Sequence, residues 1–142
     1  MVTAAALCSL ALGLGFGLPA LFGTLHFAQT GEVWTFMGFP TYGDGPFERV
    51  GVPTTTALLA VFLLVCLAEV ALAVMLWTDA RLAAALSYAL LPFEFVFWIG
   101  FALPFGPLPG IVRTVLVFLA YRLDGHSREP QEGQGPQQAR LR

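Results

Sequence analysis

The chain has 142 residues, of which 57% are hydrophobic and only 11% are charged. This composition departs far from that of a soluble globular domain and predicts a membrane protein, with no length left for a separate soluble catalytic domain. The formal net charge of −2 gives no reason to expect nucleic acid or anionic lipid as a partner.

The first apolar run, residues 5–28, predicts a transmembrane helix. At about 36 Å it is long enough to cross the hydrocarbon core of a bilayer with some tilt. Ser9, Gly13 and Gly17 recur every four residues, a spacing that lets helices approach closely. This helix-packing face predicts contact with other helices of the same chain or, as the alternative, a seam between two copies. His26, near the outer end, is a candidate for ligand binding or proton handling, and an interfacial polar residue is the simpler interpretation.

Residues 29–53 predict a long connection, because they contain five glycines and two interior prolines. Several aromatic side chains in this stretch favour the membrane interface, where aromatic belts lie. We therefore predict an outward-facing aromatic loop that forms an interfacial hairpin or a re-entrant cap over the helices.

Three further helices are predicted, over residues 54–77, 82–103 and 108–123, with a polar break at 78–81. The predicted fold is all-α: a four-transmembrane-helix bundle that forms one domain, residues 1–123. The remaining residues, 124–142, are rich in Gln, Gly, Pro and Glu, and they predict a disordered cytoplasmic tail.

The arginines predict the orientation of this bundle. Four crossings place both termini on one side of the membrane, together with Arg81, Arg122, Arg128, Arg140 and Arg142. Arg49 and Arg113 lie towards the other side. The positive-inside rule then predicts a multi-pass protein of the cell inner (plasma) membrane with both termini in the cytoplasm.

Glu69 and Glu94 are ionisable groups deep inside apolar runs. Such a group costs several kcal/mol unless it is neutralised or paired, so it needs a function or a partner. One interpretation is a proton relay or the polar anchor of a small-molecule pocket; the other is a protonated carboxyl that holds helices together by a hydrogen bond. Arg113 is close enough along the chain to pair with Glu94, or alternatively it extends to the outer surface.

Motifs of common enzyme classes are missing from the sequence. There is no glycine-rich phosphate loop, no Ser/His/Asp arrangement and no cluster with metal-ligand spacing, so no metal is predicted. His26 alone cannot supply both axial ligands of a b-type haem. The aromatic run over residues 93–101 is typical of a core or lipid-facing surface. It could equally line a pocket for a flat ring such as a quinone or a sterol, and a quinone is then the possible cofactor.

Several short motifs resemble the DoxX-like family of small four-helix membrane proteins. They are Gly51-Val52-Pro53, a glutamate sixteen residues after this proline (Glu69), and Ala80-Arg81-Leu82-Ala83-Ala84 at the start of the next helix. The glycine-rich first helix that ends in Phe22-Gly23 fits the same pattern. The resemblance implies a four-helix bundle.

The chain also departs from that family, since Val70-Ala71-Leu72 stands where glycines are usual, and Glu94 is additional. By position only Glu69 and Arg81 correspond. Some members belong to quinone-linked membrane oxidoreductase complexes, and relatives act as assembly factors. The resemblance implies an accessory or assembly subunit that binds the lipid bilayer and a membrane-protein partner or a second copy. The alternative is a quinone- or lipid-binding component of a membrane oxidoreductase that uses Glu69 and Glu94.

Overall fold

The computed structural model describes residues 1–78, 80–103 and 105–126. In chain order its elements are α1 (Val2–Thr30), β1 (Thr35–Phe36), β2 (Phe39–Pro40), α2 (Pro46–Arg49), α3 (Thr56–Thr78), α4 (Ala80–Gly100) and α5 (Pro107–His126). The two short strands pair antiparallel as a hairpin. The remaining regular structure of the described residues is helical, which confirms the predicted all-α class.

Within the described residues, three helices are long and apolar enough to cross a membrane: Val2–Thr30, Thr56–Thr78 and Leu82–Gly100. The apolar part of α5, Pro107–Ala120, is shorter. Large apolar side chains point outward along these helices, as Leu64 does on α3 with 63% of its surface exposed. The predicted apolar helices of membrane-crossing length are therefore confirmed for these three segments.

The helix ends differ from the predictions by a few residues. α1 begins at Val2, before the predicted range of 5–28. It is closed by Gly31, which has a φ of 74° and donates its N–H to the Phe27 carbonyl. α4 ends at Gly100 rather than at residue 103, because the chain turns there with Ala102 at a φ of 54°.

α5 continues to His126, so residues 124–126 are helical and do not belong to a disordered tail. The tail was predicted from its polarity, but a helix can continue past its apolar stretch when side chains four residues apart support it. The guanidinium of Arg122 lies 4.7 Å from the ring centroid of Phe118 and supports the last turns in this way. Residues 127–142 lie outside the described residues, as does Asp79 of the predicted polar break.

Two apolar clusters mark the two ends of the helix packing. α1 packs along α3 and α5, and α4 packs against the same two helices. The terminal-end cluster consists of Ala5, Ala6, Leu72, Leu76, Ala83, Ala84 and Val117. The hairpin-end cluster consists of Ala20, Tyr42, Leu59, Phe62, Cys66, Phe97 and Phe101. The order in which the helices meet these clusters shows that consecutive long helices run antiparallel, with the start of α1 and the end of α5 at the same end.

The small-residue face of α1 lies against α3. Ser9, Gly13 and Gly17 are all buried. A Cβ atom at Gly13 would lie 2.7 Å from the Val70 side chain and 2.8 Å from the Cys66 carbonyl, and one at Gly17 would lie 3.1 Å from the Cys66 Cβ atom. The close approach that the spacing predicts is therefore made between helices of the same chain at these positions.

Gly13→Ala is expected to lower the free energy of unfolding by about 1–3 kcal/mol, because the added methyl group has to push α1 and α3 apart. Gly15→Ala is the matched control, since a Cβ atom at Gly15 meets nothing within 4 Å. Alanine also favours the helix over glycine by about 1 kcal/mol, so this control is expected to keep or gain stability. Thermal unfolding in detergent measures both variants. Equal stability of the two would show that α1 and α3 are not in close contact at Gly13.

Two aromatic side chains fix the loop between α1 and α3 to the long helices. Tyr42 is buried, and its hydroxyl donates a hydrogen bond of 2.9 Å to the Phe16 carbonyl of α1. Phe47 of α2 packs edge-on against Phe101, the residue that follows α4, with 5.2 Å between the ring centroids. The loop therefore packs against the helices at the hairpin-end cluster.

Burial raises the pKa of the Tyr42 phenol above its usual value of about 10. Because the folded-state pKa is the higher one, the stability linked to this proton is present below that usual value and is lost as the pH rises towards the folded-state pKa. Tyr42→Phe keeps the ring but loses the hydrogen bond, at an expected cost of about 1 kcal/mol at neutral pH. Unfolding curves at neutral and strongly alkaline pH should show that the variant is the less alkali-sensitive protein. A variant that loses more stability than the parent at alkaline pH would contradict this role of the phenol.

Candidate functional site

Arg113 on α5 lies at the centre of a buried charged cluster. Its Nη1 donates to Oε1 of Glu69 on α3 and, at 2.8 Å, to Oε1 of Glu94 on α4. Its Nη2 donates to Oε2 of Glu94 at 2.9 Å. The exposed fractions are 0% for Arg113, 1% for Glu94 and 3% for Glu69. One cation thus joins three helices, and it holds Glu94 by two parallel bonds but Glu69 by one.

Helix periodicity turns all three side chains inward. The buried residues of α3 are Leu59, Phe62, Cys66, Glu69, Leu72, Ala73 and Leu76. The buried residues of α4 include Ser87, Glu94, Phe97 and Trp98, and those of α5 include Gly110, Arg113, Val117 and Ala120. Spacings of three and four residues define one face of an α-helix, so each charged side chain occupies a core position.

The charged cluster forms a polar layer, defined here by the residues Glu69, Ser87, Glu94 and Arg113. On α3, Glu69 follows Cys66 of the hairpin-end cluster and precedes Leu72 of the terminal-end cluster. Nη2 of Arg113 also lies 3.5 Å from the Ser87 carbonyl. Apolar residues on both sides keep the effective dielectric constant low. The attraction between the guanidinium and the carboxylates is therefore strong, and an unpaired charge in this layer is costly.

The position of Arg113 decides between two interpretations of the sequence. The alternative in which its side chain extends to the outer surface is wrong, because the side chain is fully buried. The pair with Glu94 is present, and the second pair, with Glu69, is not expected from the sequence. The signal that could have identified an inward arginine is its spacing of three from Gly110 and four from Val117, which places all three residues on one face of α5.

The structure does not bring His26 to the polar layer. His26 is half-buried near the end of α1. Gly13 of the same helix packs against Val70, the neighbour of Glu69. His26 lies thirteen residues beyond Gly13, and so roughly 20 Å further along the helix axis. Arg81 belongs to the first turn of α4, and its side chain lies outside the described part of the structure. Among the described residues, no group of three His, Cys, Asp or Glu side chains forms a metal site.

Two of the cavities that the described residues form lie away from the polar layer. The larger has about 350 Å³ and lies between the hairpin loop, α1 and the turn that follows α4; its aromatic lining residues are Phe16, Trp34, Phe36, Tyr42 and Phe101. The other has about 280 Å³, opens between α3 and α4, and is lined by apolar side chains such as Met75 and Phe93. The three charged residues of the polar layer line neither of these two cavities.

Comparisons of the chain with known protein families, with curated proteins and with solved structures found no match. The chemistry of the polar layer follows from its own residues. It can hold three helices in register, because the loss of one partner leaves another buried group without its counter-charge. It can also hold a proton, because two carboxyl groups face one guanidinium.

Proposed function

We propose that the protein is a small integral membrane protein with four crossings, and that it acts as an accessory or assembly subunit of a membrane complex. The fourth crossing is α5, whose 20 residues span about 30 Å. Arg113 interrupts its apolar run, but this charge is paired with two carboxyl groups inside the protein. The cost of placing it at membrane depth is offset in this way.

The proposed location is the inner (plasma) membrane with both termini in the cytoplasm. The start of α1 and the end of α5 share one end of the helices, and Arg122 is exposed there, whereas Arg49 lies at the hairpin end. The arginines at 128, 140 and 142 lie outside the described residues. They follow α5 in the sequence, so the proposal counts them on the same side of the membrane as Arg122. The positive-inside rule supports this orientation, which makes the hairpin outward-facing.

Thiol labelling tests the orientation. A cysteine introduced as Ser127→Cys, which lies beyond the described residues, is expected to resist a membrane-impermeant reagent in intact cells and to react after the membrane is opened. Efficient labelling in intact cells would place the C-terminal end outside and overturn the orientation.

The observation that carries the subunit proposal is the tip of the hairpin. Phe36, Met37 and Phe39 have exposed fractions of 59%, 83% and 75%, and none of them belongs to a membrane-length helix. The tip is held in place, because the Thr41 N–H donates to the Trp34 carbonyl at 2.8 Å behind it. A fixed, exposed apolar surface of this kind favours the binding of a partner protein.

Purification in a mild detergent tests the subunit proposal. We expect a second membrane protein at a fixed stoichiometry, and we expect Met37→Ala to reduce its amount, because this residue is the most exposed of the tip. Leu64→Ala, an equally apolar truncation on the exposed side of α3, is the matched control and should keep the partner. A protein that purifies alone, or that keeps its partner equally in both variants, would contradict docking at the hairpin tip.

The aromatic cavity favours a second candidate function, a quinone- or lipid-binding component of a membrane oxidoreductase. Aromatic faces line it on several sides and suit a flat ring. Tyr42 and Ala102, which contribute to the lining, have φ angles of 63° and 54°. Such backbone conformations are uncommon outside glycine and recur at ligand sites. Since Glu69 and Glu94 do not line this cavity, the ring in this candidate is held by aromatic side chains and not by the carboxyl groups.

Solvent extraction of the same detergent preparation separates the two candidates. A quinone or lipid present in equal amount with the chain, and lost in Phe16→Ala, would favour the second candidate. A stoichiometric protein partner without such a ligand would favour the first.

A further inference from the structure

The charges of the polar layer do not cancel. Glu69 and Glu94 contribute two negative charges when both are ionised, and Arg113 contributes one positive charge. The two bonds between Arg113 and Glu94 already make a neutral pair with matched geometry. An ionised Glu69 would therefore leave one net negative charge between two apolar clusters, which is strongly unfavourable.

Four buried polar atoms in this region have no hydrogen-bond partner among the described residues: Oγ of Ser9, Oε2 of Glu69, Oγ of Ser87 and Nε of Arg113. Buried polar atoms in folded proteins are nearly always paired, so such a group needs an explanation. A proton on Oε2 of Glu69 would convert this oxygen into a donor. The buried hydroxyl oxygens of Ser9 and Ser87 also lack a partner, and each could accept from such a donor through a bound water.

We propose that the polar layer is a proton-binding site in which Glu69 carries one proton. The Glu94–Arg113 pair is neutral by itself, so it leaves no positive charge to balance an ionised Glu69. The assignment to Glu69 follows from the geometry, because both oxygens of Glu94 accept bonds from the guanidinium and only one oxygen of Glu69 does. This inference goes beyond the proposed function and does not rest on it.

A proton suits this site better than a metal cation. A hard cation such as sodium or calcium needs several oxygen ligands around a space of its own. The layer offers one unpaired carboxyl oxygen, and its charged residues line neither described cavity. A proton needs no additional space.

The other groups around Glu69 do not replace its proton. α4 contributes Glu94 and α5 contributes Arg113, while α1 faces α3 with the non-titrating Ser9 and Gly13. Cys66, one turn before Glu69 on α3, is a further titratable side chain close to the layer. When hydroxide removes the Glu69 proton as water, one negative charge stays in the layer, and the contact of α3 with α4 and α5 is expected to weaken.

Infrared spectroscopy of the purified chain at neutral pH tests the proton count. Protonated carboxyl groups absorb apart from carboxylates, so the difference spectrum against each variant counts them. Wild-type protein minus Glu69→Gln should show one protonated carboxyl. The Glu94→Gln protein should itself contain no protonated carboxyl in the layer, because the charges of the remaining glutamate and Arg113 then cancel. The Arg113→Gln protein should contain two if it folds. A difference spectrum of wild type and Glu69→Gln without a protonated carboxyl would overturn the proposal.

Thermal unfolding as a function of pH tests the same site without relying on an infrared band. Both proteins carry Tyr42→Phe, because the Tyr42 phenol also loses its proton at alkaline pH. The protein that keeps Glu69 should lose stability as the pH rises, and the protein that also carries Glu69→Gln should lose much less. Equal losses would overturn the proposal. A stabilisation by sodium over potassium that disappears in Glu69→Gln would also overturn it, because the site would then bind a metal cation.

Discussion

Replacing Arg113 with glutamine is expected to lower the free energy of unfolding in detergent by about 3–5 kcal/mol, the largest effect of any single substitution considered for this chain. Arg113 supplies the bonds to both carboxyl groups and has no exposed surface. Without it, both glutamates stay between the two apolar clusters; Glu94 must then take up a proton, as Glu69 already has, and both need new hydrogen-bond partners. Thermal or denaturant unfolding followed by circular dichroism measures the loss.

Two further variants show whether the loss comes from the charges. Arg113→Lys keeps the positive charge but not the planar fork that bonds Glu94 twice, so it should fall between wild type and Arg113→Gln. Replacing the three charged residues together by Leu or Met should recover most of the stability, because a buried ion cluster can be exchanged for apolar side chains of similar volume. Wild-type stability of Arg113→Gln would mean that Arg113 is not enclosed by the two glutamates.

The long helices could be predicted from the sequence because they depend on local composition. Continuous apolar runs determine their positions, and only their ends moved, where a capping glycine at Gly31 or a supporting pair such as Phe118 and Arg122 decides the last turn. Burial of the small residues Gly13 and Gly17 could likewise be anticipated from their spacing. These features need little knowledge of how the helices are arranged in space.

The polar layer could be predicted only in part. The presence of two costly carboxyl groups is visible in the sequence, and the pairing of Glu94 with Arg113 follows from a short turn between neighbouring helices. The contact with Glu69 depends on how α3 and α5 are rotated about their axes, which only the packing of all the helices determines. The hairpin is hidden for a different reason: its strands have two residues each, too few for a periodic pattern, and nothing local distinguishes the buried Tyr42 from the exposed aromatic residues around it.

The two glutamates are expected to differ when each is replaced by leucine. Glu94→Leu should lower the free energy of unfolding by about 3 kcal/mol, because Arg113 loses both bonds to Glu94 and keeps one bond to Glu69, which must then give up its proton inside the apolar core. Glu69→Leu leaves the neutral Glu94–Arg113 pair in place and removes only one bond, at an expected cost of about 1 kcal/mol. Both substitutions place the same side chain on a buried helix face, so each is the control for the other in detergent unfolding. A larger loss for Glu69→Leu would show that Arg113 pairs chiefly with Glu69, and the proton would then have to be assigned to Glu94.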